Sequence, residues 1–447
     1  MDKLNHVHFI GIGGVSMSAI AKVLLNNKIK VTGSDFSGGK STDELIALGA
    51  DIAIGHSENN ITNPDLVVYT AAISDDNPEL VCARQKGIQT ISRAKMLGMI
   101  MKNYKKAISV AGTHGKTTAT SMMSYVLMKA ELDPTIMVGG ELDILGGNFR
   151  MGEGEYFLTE SCEYCRSFLE FSPTVGIILN VEEDHLDYYK DIEDIKSAFS
   201  DFVRLIPKDG ILVACAEDPE AVECASNAYC NPITYGFEKG DYRACNISFD
   251  DFGYPSFDIC KDGAKMVSLS LNVVGRHNIL NATAVFAAAY AMGIDADTIK
   301  SGLEGFTGTK RRFEKKGYCN GALIIDDYAH HPTEIAATFD AVKKIKHNTV
   351  WCIFQPHTYT RTKALFDDFA KVLSRVDRVI LTDIYAAREV DTGIVSSKDL
   401  AKEIPDCKYI KDFTEIADFI KKDTCRGDII ITMGAGNVVN IADMIKD

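Results

Sequence analysis

Seven consecutive residues, Gly112-Thr113-His114-Gly115-Lys116-Thr117-Thr118, carry the sharpest chemical signal in the sequence. An apolar stretch at 107–111 reads as a strand before them, and 117–130 reads as a helix after them. A glycine turn between strand and helix aims backbone N–H groups at one point, where the helix N-terminus adds about half a positive charge. Lys116 can reach the β- and γ-phosphates of a nucleotide, and the Thr117 hydroxyl can ligate Mg²⁺. The generic phosphate loop has another glycine five positions before Gly115. Val110 stands there, so this is a variant of the form GTxGKTT. An ordinary helix-capping turn would use the glycines but has no need of Gly-Lys-Thr-Thr.

A second glycine loop, Gly11-Ile12-Gly13-Gly14-Val15-Ser16, follows a short apolar strand at 7–10 and opens a helix at 17–25. It approximates G-x-G-x-x-G, with Ser16 in the last place. Asp35 ends the next strand, about where a ribose-binding acid belongs. Alone the loop would suggest NAD or merely tight helix–strand packing. Its less specific content is a diphosphate with a sugar on a helix N-terminus. Beside the first loop, it suggests two nucleotide ligands in two domains.

Four more polar groups stand just beyond apolar strands. Glu160 follows 156–159, and His185 lies in Asn180-Val181-Glu182-Glu183-Asp184-His185-Leu186-Asp187. Asp326-Asp327-Tyr328-Ala329-His330-His331-Pro332 and Gln355-Pro356-His357-Thr358-Tyr359-Thr360-Arg361 follow two later strands. Strand ends of this kind line the ligand crevice of an open α/β sheet. A carboxylate and an imidazole, with substrate oxygens, could hold a second Mg²⁺ beside a γ-phosphate. Each loop alone could be a solvated surface, but four at four strand ends make that reading poor.

The elements that position these groups alternate strand and helix. The first block holds strands at 7–10, 30–35 and 65–70. The second holds 107–111, 156–159 and 174–179 with a helix at 278–292. The third holds 322–325, 350–354, 378–381 and 428–431. We expect three consecutive α/β domains: Rossmann-like at 1–104, a phosphate-loop mononucleotide-binding domain at 105–309, and Rossmann-like again at 310–447.

Composition agrees with a soluble globular chain: 447 residues, 46% hydrophobic and 25% charged. A formal net charge of −14 gives no basic face in bulk for nucleic acid, so anionic phosphates need local devices. No apolar run reaches 18 residues and residues 1–8 are polar, so neither membrane insertion nor a signal peptide is expected. Of 12 cysteines only Cys162 and Cys165 are close, with no second pair to make a zinc site. Reduced thiols in a cytoplasmic protein are the expectation.

Together these residues resemble the Mur ligase family over nearly the whole chain. The loop at 112–118 is similar to the family's ATP loop, 180–187 to its metal-binding segment, and Arg276-His277-Asn278-Ile279-Leu280-Asn281-Ala282 to its nucleotide-binding helix start. The Gly11 loop with Gly33-Ser34-Asp35, Thr70-Ala71-Ala72-Ile73 with Asn77-Pro78-Glu79, and 326–332 resemble the branch acting directly on UDP-N-acetylmuramate. The segment 355–361 looks more like the members adding L-alanine.

The resemblance implies ATP and Mg²⁺ as cofactors, UDP-N-acetylmuramate and L-alanine as substrates, and a monomer or homodimer. It implies UDP-sugar binding by Gly11, Gly13, Gly14, Val15, Ser16, Asp35, Thr70 and Ala72. Thr117, Glu160 and His185 would hold metal. Gly112, Thr113, His114, Gly115, Lys116, Thr117 and Thr118 would bind ATP with His277, Asn278, Asn281, Arg312 and Asp327. Lys116, His330 and Arg361 would be catalytic. Several relatives carry a carbamylated lysine, whose position counts to Phe199 here, so none is expected. Ser16 stands where that branch usually has glycine. Two other readings stay open: a recycling ligase adding a peptide to UDP-N-acetylmuramate, and an NAD(P)-dependent oxidoreductase built on the Gly11 loop.

Overall fold

A computed structural model describes residues 4–70, 72–186, 188–250, 252–387 and 389–447. Ala71 and Asp187, quoted above, and residues 1–3 lie outside the described residues.

The apolar strand His6–Ile10 is buried from Val7 onward and forms the middle of a five-stranded parallel sheet. Lys30–Asp35 and Asp51–Ile54 lie on one side, Leu66–Tyr69 and Gln89–Ser92 on the other. The strand order reverses at His6–Ile10. Its C-terminal end therefore opens a crevice between Lys30–Asp35 and Leu66–Tyr69, and the Gly11 loop runs across it into the helix Val15–Asn26.

The middle sheet has ten strands. Its parallel core places Lys106–Ala111 between Tyr156–Ser161 and Val175–Ile178. Thus the phosphate loop, Glu160 and the segment after Ile178 leave the same edge side by side. The helix Lys116–Lys129 is buried over most of its length against Arg276–Ala291 and Ala296–Gly305. Three antiparallel strands, Tyr242–Phe249, Pro255–Lys261 and Ala264–Ser270, extend the sheet's far side. A six-stranded sheet ends the chain. Its buried strands Ala322–Asp327, Ile429–Met433 and Val350–Phe354 are parallel neighbours.

One apolar cluster joins the first two sheets: Leu97, Ile100 and Met101 pack with Phe157, Phe168 and Phe171. Gly98 makes that approach possible. A Cβ there would lie 1.8 Å from the Glu170 carbonyl oxygen. Phe199, where the family's modified lysine would be, is fully buried edge-on to Phe168 at 5.3 Å. The 12 cysteines are all free.

Candidate active site

Gly115, at φ +84°, ends the phosphate loop and N-caps the helix that begins at Lys116. A side chain at that φ is strained, which accounts for glycine here. The loop is buttoned to the next strand end by side chains. Asn180 accepts from the His114 N–H at 2.7 Å and donates to the His114 carbonyl at 3.1 Å. Thr113 accepts from the Glu182 N–H at 2.8 Å.

Lys116 folds over this loop. Its ammonium donates to the Gly112 carbonyl, to the Thr113 carbonyl at 3.0 Å and to Glu163 at 2.9 Å. Burial opposes the charge on Lys116, but the Glu163 carboxylate outweighs it and raises the pKa. Glu163 was not singled out from sequence. It is nearly buried, and its other oxygen lies 3.9 Å from His185 Nε2. Glu160 stands a step away. It accepts from the Thr117 hydroxyl at 3.0 Å and from the Gly139 N–H. His185 holds a left-handed backbone at φ +54° and packs on Tyr164 at 4.7 Å. Backbone strain of this kind concentrates at functional positions. Two carboxylates, a hydroxyl and an imidazole therefore surround Lys116. Such donors suit a hard divalent cation that keeps water and phosphate oxygens in its shell. Among the described residues no three His, Cys, Asp or Glu are grouped to cage a metal alone.

Beside the loop lies a cavity of about 210 Å³ between the middle and last domains. His114, Gly115, Thr118, His277, Asn278, Asn281, Arg312 and Asp327 all line it. Burial pushes the Asp327 carboxyl up to about 6 and, with Arg312 nearby, the His277 imidazole down to about 4. Gly112, Thr113, Lys116 and Thr117 are outside this wall, on the side of Glu160 and Glu163.

Glu334, also unforeseen, ties the last domain to the loop. It sits in the first turn of the helix Pro332–Val342 and accepts from the His330 N–H at 3.0 Å. His114 approaches it to 3.4 Å and Arg312 to 3.6 Å. Burial disfavours its charge, yet His330, His114 and Arg312 hold its pKa well below the carboxylate range. Among the described residues, His114 Nε2 and His331 Nε2 are buried here without a hydrogen-bond partner.

Arg361 donates to Asp184 at 3.2 Å and meets His357 Nδ1 at 3.2 Å. Both residues line a further cavity of about 370 Å³ with His185, Leu186, Ala364 and Glu389. His330 lies between the two cavities' walls, its ring 5.8 Å from that of His357. Asp326 is not at a cavity; it is buried in an ion pair with Arg311 at 3.1 Å.

The Gly11 loop belongs elsewhere. Gly11, Gly13, Gly14, Asp35, Thr70 and Ala72 line a cavity of about 790 Å³ in the first domain. Asp35 accepts from the Gly13 N–H at 2.8 Å. Val15 and Ser16 are not on that wall. Val15 is exposed, and Ser16 accepts from Arg93 at 2.8 Å.

Three cavities, one in the first domain and two between the middle and last domains, open at the strand ends of three α/β sheets. The chain belongs to the Mur ligase family. Residues 6–105 match the Mur ligase family catalytic domain, 110–289 the Mur ligase middle domain, and 311–436 the Mur ligase glutamate ligase domain. It is an ATP-dependent ligase by that membership. It is 52% identical to a UDP-N-acetylmuramate–L-alanine ligase of Clostridium botulinum, over 99% of this chain and 98% of the relative. The crystal structure of UDP-N-acetylmuramate–alanine ligase MurC from Thermotoga maritima matches 98% of both chains at TM-score 0.81 and 32% identity. A murein peptide ligase from Psychrobacter arcticus, also covered at 98% of both chains, matches at 0.71 and 26%.

Proposed function

We propose that this chain joins L-alanine to the lactyl carboxylate of UDP-N-acetylmuramate, consuming ATP and releasing ADP and phosphate. One observation carries the reading. The cavity lined by His277, Asn281 and Asp327, the Lys116–Glu163–His185 centre and the Arg361 cavity meet at one junction of the middle and last domains. In it, residues 1–104 hold the UDP-sugar, 105–309 hold ATP, and 310–447 complete the nucleotide and amino-acid sites.

Two anions, the lactyl carboxylate and the ATP γ-phosphate, have to meet, so charge neutralisation dominates the barrier. Lys116 and the N-terminus of the helix Lys116–Lys129 face the phosphates, and Lys116 exchanges Glu163 for phosphate oxygens as nucleotide enters. Thr117, Glu160, Glu163 and His185 would hold Mg²⁺, which when bound shields the phosphate charge. His277, Asn278, Asn281, Asp327 and Arg312 seat the nucleoside and its phosphates. The carboxylate oxygen bonds to the γ-phosphorus as ADP leaves. The neutral alanine amine then attacks the acyl carbon, phosphate departs, and the amine loses a proton. Arg361 and His330 orient the amino acid and the acyl phosphate. Holding both in one cleft can contribute about 7–11 kcal/mol. The apolar Leu186, Ala364 and Leu365 around Arg361 suit a small aliphatic amino acid.

Phosphate release with ATP, UDP-N-acetylmuramate and single amino acids tests this. We expect release to require the UDP-sugar and to be greatest with L-alanine. Release that needs a peptide instead would replace the reading with the recycling ligase.

A further inference from the structure

Behind the first-domain cavity lies a buried carboxylate that no step above uses. Glu79 has no exposed surface and follows Pro78 in a helix N-capped by Asn77. Five donors converge on it. His8 Nε2 at 2.9 Å and Ser34 Oγ at 2.7 Å reach one oxygen. Asn60 Nδ2 at 2.9 Å, the Ser57 N–H at 3.2 Å and His56 Nδ1 at 3.2 Å reach the other. Burial opposes ionisation, but the hydrogen bonds from His8, Ser34 and Asn60 outweigh it and hold the carboxyl down at about 2. Glu79 is therefore an anion that can only accept.

This settles the tautomer of His56. Its Nδ1 carries a proton, donated to Glu79 and shared with Ser34 Oγ at 3.1 Å. The ring lines the cavity with Gly11, Gly13, Gly14 and Asp35, and its Nε2 makes no hydrogen bond to a described residue. A neutral ring held this way presents a lone pair at Nε2. A phosphate oxygen presents lone pairs too, so the two repel. A second proton turns Nε2 into a charged donor, the stronger kind toward phosphate. The titratable groups around the ring are Glu79 and, beyond it, His8, with Asp35 and Lys40 on the cavity wall.

We propose that His56, positioned by Glu79, takes up a proton as the diphosphate of the sugar nucleotide binds, so that substrate capture in the first domain is coupled to proton uptake. This rests on the UDP-sugar reading of the cavity. The test is calorimetric titration of the full chain with UDP, at about pH 8, in two buffers of different ionisation enthalpy. Free imidazole is neutral at that pH. We expect the apparent enthalpy to differ between buffers by a large fraction of one proton per UDP, and not to differ with uridine. His56→Gln is expected to abolish the difference and weaken UDP binding about tenfold, the scale of one charge-assisted hydrogen bond. Nitrogen NMR of the wild-type imidazole, with and without UDP, reads the same event without a variant: both ring nitrogens become protonated. Equal enthalpies in the two buffers with UDP bound, or an Nε2 that stays unprotonated, would overturn the proposal while leaving the UDP-sugar reading in place. Failure of the wild type to bind UDP at all would overturn both.

Discussion

The first-domain cavity and the middle–last junction treat buried charge in opposite ways. Around Glu79 every acceptor lobe has a donor, and the net is complete without a ligand. At the junction, His114 Nε2 and His331 Nε2 are buried without a hydrogen bond among the described residues, Asp327 is pushed up to about 6, and His331 is pushed down to about 4 by burial and by His114. Buried polar groups are normally satisfied, so an unsatisfied set marks where something else completes the shell. The first site is preorganised. The second stores polarity that, in the function proposed above, nucleotide and substrate would relieve.

If that contrast holds, the largest effect comes from the junction. Lys116→Ala should cut ligation about a thousandfold or more, the scale of losing a preorganised charge at the reacting centre. UDP binding, measured by calorimetry, should be unchanged. Equal loss of UDP binding would mean that the two sites are not separate.

Glu163→Gln should lower kcat about a hundredfold or more and raise the Mg²⁺ concentration needed for half-maximal rate. Glu160→Gln compared in the same titration separates their roles. A wild-type Mg²⁺ dependence in Glu163→Gln would move the metal wholly to Thr117 and Glu160.

The first domain should show itself through stability instead. The Glu79 carboxyl is depressed from 4.5 to about 2 in the fold. Its contribution, on the order of 3 kcal/mol, is fully present above the unfolded value and is lost as pH falls from 4.5 through 2. Chemical denaturation across that range should show this loss in the wild type and a flatter profile in Glu79→Gln.

The smallest effect concerns the seam between the first two domains. Gly98→Ala places a methyl against the Glu170 carbonyl and should cost about 1–3 kcal/mol of stability. Turnover per folded molecule should be retained, as read by an active-site titration.

Much of this architecture was legible before the structure. Strands such as Val350–Phe354 and Arg378–Leu381 fall where short apolar runs between turn residues put them. Fold class followed from their alternation with helices. The antiparallel strands Tyr242–Phe249, Pro255–Lys261 and Ala264–Ser270 were not read, because their half-exposed faces carry Arg, Asn, Asp, Lys and Ser rather than an apolar run. Site residues in glycine loops announced themselves through turn chemistry. Glu163 and Glu334 did not. Each is one acid among 62, and its importance arises from which strand end lies beside which loop. Glu79 was visible as part of Asn77-Pro78-Glu79, but only through the family resemblance of that stretch. Its burial and its hold on His56 depend on His8 and Ser34 from two neighbouring strands and on the loop that carries His56.

The most direct test of the account is a product measurement. The chain would be incubated with ATP, Mg²⁺, UDP-N-acetylmuramate and an equimolar mixture of L-alanine, glycine, L-serine and the muramyl tripeptide, and the UDP-linked products weighed by mass spectrometry. The account predicts one dominant product, heavier than the starting sugar nucleotide by a single alanine residue. A dominant tripeptide adduct, or ATP hydrolysis with no UDP-linked product, would contradict it.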